Sequence, residues 1–129
     1  MADTDEIYWG KAEQSLAGAE SEFANSRYDN CANRCYYGCF QAAIAALIRE
    51  AIEPSGQWSH AFVQARFAGD LIARRKRYPS ELRDTLARLL FLRQLADYNT
   101  QQVSEAQAGR AIRNARRFME AITSKEGDS

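Results

Sequence analysis

Tyr28-Asp29-Asn30-Cys31-Ala32-Asn33-Arg34-Cys35-Tyr36-Tyr37-Gly38-Cys39-Phe40-Gln41-Ala42-Ala43-Ile44-Ala45-Ala46-Leu47-Ile48-Arg49-Glu50-Ala51 is the stretch on which the fold turns. Ala32, Tyr36, Phe40, Ala43, Leu47 and Ala51 recur at steps of four and three, which stacks them on one side of an α-helix. Tyr37, Ile44 and Ile48 widen that stripe, and so broad an apolar face belongs at the centre of a helical bundle. The longest unbroken apolar run, Ala42 to Ile48, is seven residues. A membrane span needs about 18 to 20, so no transmembrane helix is expected.

The same period continues outward on both sides. Upstream, Asp3 with Glu6 has the form of a helix-opening box, and Tyr8, Ala12, Leu16, Ala19 and Phe23 follow at helical spacing, predicting a helix over 4–25. Asn25, Ser26 and Asp29 make the turn between the two helices, and Pro54-Ser55-Gly56 stops the second. Downstream, Ser59 caps a third helix bearing Phe62, Val63 and Phe67, which Gly69 and the run Arg74-Arg75-Lys76-Arg77 shorten or break. Pro79 or Ser80 opens a fourth with Leu82, Leu86, Leu89, Leu90 and Ala96 facing inward, and 99–103 form a loop. Ser104 with Gln107 is a second capping box, ahead of the stripe Ala108, Ile112, Ala115, Phe118 or Met119, and Ile122. The polar residues 124–129 read as a flexible tail, leaving one domain over 4–123.

Composition agrees. The 129 residues include 22 Ala but only two Val, with seven Gly and two Pro, which favours helices over strands and leaves few turns. The fold class expected is all-α, an up-and-down bundle of four helices with one additional short helix. The acidic start, Asp3, Asp5 and Glu6, is unlike the basic beginning of a signal peptide, so the expected location is cytoplasmic.

Net charge is zero but unevenly distributed: residues 1–59 sum to −5, residues 60–120 to +6 and the remainder to −1. A polyanion responds to the field of one face, so the zero total excludes nothing there. Arg74 to Arg77 and Arg110, Arg113, Arg116 and Arg117 are either solvated helix faces or polyanion contacts. Cys31, Cys35 and Cys39 lie four apart on one helix side, an odd set without zinc-site spacing, and read as small packing residues. No phosphate loop, nucleophile elbow or metal-binding motif occurs, so no metal and no cofactor is expected.

What remains is a small polar set. Arg93 interrupts a leucine-rich helix, and Asp97, one turn on, can pair with it. A fixed guanidinium suits a phosphate, which it meets with paired donors and permanent charge. His60 is the sole imidazole, and its ordinary titration range suits proton transfer. Tyr37 and Tyr98 read first as packed aromatics, since a phenol titrates near 10.

These residues also form a known pattern. Asn33-Arg34-Cys35-Tyr36-Tyr37-Gly38-Cys39-Phe40-Gln41-Ala42-Ala43 resembles the central helix of HEPN domains, and Ser59-His60 resembles the Ser-His opening of their next helix. Arg93-Gln94-Leu95-Ala96-Asp97-Tyr98 is similar to the Arg-x-x-Ala-Asp-Tyr ending of a small stand-alone branch of that family, and the likeness covers about residues 5–122. The resemblance implies a homodimer whose two copies build one cleft, acting on RNA or a nucleotide. It further implies the toxin-like half of a two-gene system whose partner is a nucleotidyltransferase antitoxin, with metal-independent endoribonuclease activity. Arg34, Tyr37 and Arg93 are then the expected ligand contacts, and Arg93, Asp97, Tyr98 and His60 the expected catalytic set. The pattern departs from the nuclease motif at one place: Tyr98 stands where a His is expected. A phenol is a poor base at neutral pH, so either Asp97 or His60 is left for that role. A non-catalytic nucleotide-binding or protein-interaction module is the alternative that the missing His favours.

Overall fold

The computed structural model describes residues 4–98 and 100–127, with side chains described as far as Thr123. Its elements are α1 (Thr4–Ala24), α2 (Tyr28–Arg49), α3 (His60–Arg66) continuing as a π-helical segment (Phe67–Arg74), a 3-10 turn (Ser80–Leu82), α4 (Thr85–Tyr98) and α5 (Glu105–Gly127). The fold is all-α, as the period predicts. Asp3 and Asn99, parts of an expected cap and loop, lie outside the described residues, as do Asp128 and Ser129.

The broad stripe of α2 does what its width demands. From Cys31 to Leu47 nearly every side chain on three sides of this helix is buried, with α1, α4 and α5 packed around it. Asp5 near the start of α1 pairs with Arg49 at the end of α2 at 2.9 Å, fixing the two helices antiparallel. Their approach is close because small residues meet: Ala12 and Ala19 are wholly buried, and a Cβ on Gly38 would lie 3.4 Å from the Ala12 carbonyl oxygen. Tyr8, Leu16 and Phe23, expected on the same stripe, are only half-buried, since α1 has α2 on one side and solvent on the other. The three cysteines are free and fully buried, as packing residues should be, with burial pushing the Cys39 thiol up and out of reactive range.

Caps legible in the sequence are present. The Ser59 hydroxyl accepts the Phe62 amide at 3.1 Å. Ser104 and Gln107 cap reciprocally, at 3.1 and 2.9 Å, and Asp29 accepts the Val103 amide at 2.8 Å, tying the approach to α5 onto the start of α2.

Four boundaries differ from expectation. α2 ends earlier than its stripe: Ala51 is exposed at φ 61°, the amides of Ala51 and Ile52 bond back to Ile48 and Leu47 at 2.9 Å each, and Ile52 is buried instead. This is the left-handed helix ending that normally takes Gly. Gly69 does not break the third helix, which widens into π geometry, setting Phe67, Leu71 and Ile72 in the core while Asp70 pairs with Arg66 at 2.9 Å. α4 opens at Thr85 rather than at Pro79 or Ser80, because the chain first makes the 3-10 turn that buries Leu82. Leu90 and Ala96 on α4 are only half-buried. α5 continues to Gly127, beyond the boundary expected at 123.

Candidate functional site

The rotation of α2 sorts its polar and aromatic residues between two neighbours. Positions 34, 38 and 41 share one side, turned to α1, where Ser15 and Gln41 hydrogen-bond at 3.0 Å. Positions 33, 36, 37 and 40 lie a quarter-turn away, toward α3 and α4. There the aromatic rings form a cluster: Tyr36, with no exposed surface, stacks on Phe40 at 5.7 Å and meets Tyr37 edge-on at 5.5 Å.

Ser59 starts α3 so that His60 enters this cluster. Its ring lies 5.3 Å from that of Tyr36 and 5.0 Å from that of Phe40, and Nδ1 is 2.5 Å from the Tyr36 hydroxyl, a short hydrogen bond. From the other side α4 brings Arg93, whose guanidinium carbon sits 5.0 Å above the Tyr37 ring and 5.9 Å from that of Tyr36. Cation–π attraction and stacking hold a guanidinium well in such a position. Arg93 Nε is 3.4 Å from Asp97 Oδ2, the i,i+4 pair the spacing implies, and Asn33 Nδ2 reaches the same oxygen at 3.5 Å. Both contacts are long. Arg93 Nε is buried and makes no hydrogen bond, so the ion pair leaves donor capacity unspent.

The electrostatics suit proton handling at neutral pH. Burial, with the Arg93 charge adding to it, holds the His60 imidazole below its ordinary range, so the ring is neutral at pH 7. Burial also pushes the Tyr36 phenol up to about 12, against the opposing influence of Gln64 and Arg93, so the hydroxyl keeps its proton. The site therefore sets a permanent cation and a neutral imidazole against the same buried tyrosine. Among the described residues no group of three His, Cys, Asp or Glu side chains gathers as metal ligands.

The family model of the HEPN domain matches residues 6–126 of this 129-residue chain. The chain belongs to the HEPN family. No curated protein matches it. HEPN membership makes it an RNase-like or nucleotide-binding helical module, and the match runs from α1 into α5, so this bundle is the HEPN domain.

Of the residues expected at a HEPN site, the structure brings together Arg93, Asp97, His60 and Tyr37 and leaves two apart. Arg34 is exposed on the α1 side of α2, with Nη1 3.5 Å from where a Cβ on Gly18 would be. The one-residue step from Asn33 to Arg34 is a turn of about 100°. Tyr98 is 80% exposed and lines a shallow groove with Phe91, Gln94 and Leu95. Asn33, Tyr36 and Phe40, by contrast, join the cluster around Arg93 and His60. The signal for them was their shared helix side with Tyr37.

Proposed function

We propose that this HEPN protein acts on RNA as a homodimer, cleaving single strands without a metal, with Arg93 contacting the phosphate and His60 as the base. It is read as the toxin-like half of a two-gene system whose partner is a nucleotidyltransferase. The observation that carries this reading is the meeting of Arg93 and His60 on Tyr36, which supplies the imidazole that position 98 lacks. In the reaction His60 takes the proton of a ribose 2′-hydroxyl and the oxygen attacks the adjacent phosphorus. The bond to the 5′-oxygen then breaks, giving a 2′,3′-cyclic phosphate and a protonated 5′-hydroxyl, while Arg93 stabilises the charge that develops. Tyr36 positions the base: when Nδ1–H donates to the phenol oxygen, Nε2 presents its lone pair. The dimer is supported by α4, where Phe91, 69% exposed, and Tyr98 form an apolar face beside the site.

The test is cleavage of single-stranded RNA by purified protein in EDTA. Cleavage that ends in cyclic phosphate, and falls by about 100-fold or more in Arg93→Ala and His60→Asn with folding intact, is the expected result. Persistence in His60→Asn overturns the role of that residue. A second reading, a non-catalytic nucleotide-binding module docking on the nucleotidyltransferase, is favoured by the exposed Tyr98. No cleavage by wild type, with a stable complex formed by the two proteins, would establish it in place of the first.

A further inference from the structure

The arginines of this chain divide sharply. Asp70 pairs with Arg66 and Arg74, Glu50 with Arg75 and Arg77, and Glu20 with Arg116, so most of the basic run after α3 is neutralised by its own fold. Among the described residues Arg34, Arg83, Arg88, Arg110, Arg113 and Arg117 have no acidic partner; Arg34 is alone on α2, and the other five lie just after the 3-10 turn, on α4 and on α5. Three of them, Arg83, Arg88 and Arg117, line one groove of about 410 Å³ with Asn114.

The floor of that groove is the first turn of α4. The Asp84 carbonyl accepts the Arg88 amide at 3.0 Å, which makes Asp84 the residue before the helix and leaves the amides of Thr85, Leu86 and Ala87 without intrahelical acceptors. Thr85 lines the same groove. Only 8% exposed, it is the buried polar residue among those described, and its hydroxyl has no hydrogen-bond partner among them. A helix start with unpaired amides favours negative charge, and the Thr85 hydroxyl, bonded to no other group among the described residues, is left to a ligand or to water.

We infer that this groove is a phosphate-binding site, distinct from the Arg93 cluster. The first-turn amides and the Thr85 hydroxyl donate to the oxygens, and Arg88 and Arg117 supply the charge. Glu81 and Asp84 also line it, which leaves a surplus of one positive charge and keeps binding moderate. The inference rests on the preceding proposal only for the source of the phosphate, an RNA backbone rather than a free anion.

The experiment is a nuclear magnetic resonance titration of the full ¹⁵N-labelled chain, with inorganic phosphate and, separately, with a single-stranded oligouridine. Saturable shifts at the Thr85, Leu86 and Ala87 amides with phosphate are the expected result. Arg117→Glu should weaken them about tenfold, on the scale of a lost charge-assisted contact, and Thr85→Val should weaken them while leaving the fold at least as stable. Glu81→Gln should tighten binding, an effect that a merely structural role for Glu81 does not produce. Still amides with both probes, or equal shifts in Arg117→Glu, overturn the site. Oligouridine shifts at Tyr37 and His60 but not at 85–87 overturn the site while sparing the RNA reading. Phosphate shifts at 85–87 with no response anywhere to oligouridine support the site, assign it to a free anion and remove the RNA reading.

Discussion

The seam between α1 and α2 and the outer face of α4 are built from equally apolar sequence and put it to opposite use. At the seam Ala12, Ala19 and Gly38 let two backbones close together, and Leu47 beneath them has no exposed surface. On α4 the apolar character comes instead from five Leu and one Phe in 14 residues, and Phe91 is left 69% exposed and Leu95 half-buried along a shallow groove. Hydrophobicity alone therefore does not separate core from working surface. Side-chain size does: small residues at helical spacing mark where helices must touch, whereas large ones left exposed mark where something else can.

The contrast is broken most directly by paired truncations. Leu47→Ala should cost about 2–5 kcal/mol, because it removes buried methyl groups and leaves a cavity, whereas Leu95→Ala should stay within about 0.5 kcal/mol for the isolated chain; urea denaturation compares them. Equal losses would mean that α4 is as structural as α2. Gly38→Val comes next, at about 1–3 kcal/mol from overpacking against the Ala12 carbonyl, read as a fall in melting temperature. Ala51→Gly should go the other way by about 1 kcal/mol, since Ala51 holds a left-handed conformation that only Gly adopts freely. The smallest effect is that of pH. The fold holds the pKa of His60 below the ordinary 6.5, so the unfolded chain binds the proton more readily. Its contribution to stability is complete above that value and lost as pH falls through and below it. Melting temperatures of wild type and His60→Gln, measured between about pH 7.5 and 5, should converge toward the acid end.

Most of the fold was legible because its signals are local. Period alone placed α2, and the Ser59 and Ser104–Gln107 caps need residues only three apart. The π-helical widening and the ending at Ala51 were not legible, since Gly69 looks like a breaker and Ala like a continuation until the core decides. The site divides in the same way. Arg93 and Asp97 declare their pairing by spacing, whereas the bond between Tyr36 and His60 spans 24 positions and depends on how α3 docks. Arg34 adjoins the motif in sequence and yet stands on the α1 side, because one residue along a helix is enough to face a different neighbour. Thr85 gave no sign at all: an isolated Thr before a leucine run reads as an ordinary helix start.

The widened turn of 67–74 also works as a phase adjuster. A π turn holds more residues than an α turn, so winding these same residues as a regular α-helix would swing the chain beyond them by roughly 100° for each residue in excess. His60 upstream would keep its seat, but Tyr78, stacked on Phe67 at 5.3 Å, and Arg75 and Arg77, anchored on Glu50, would lose theirs together. The winding of this short segment thus sets the angle at which the second half of the chain is delivered to the first.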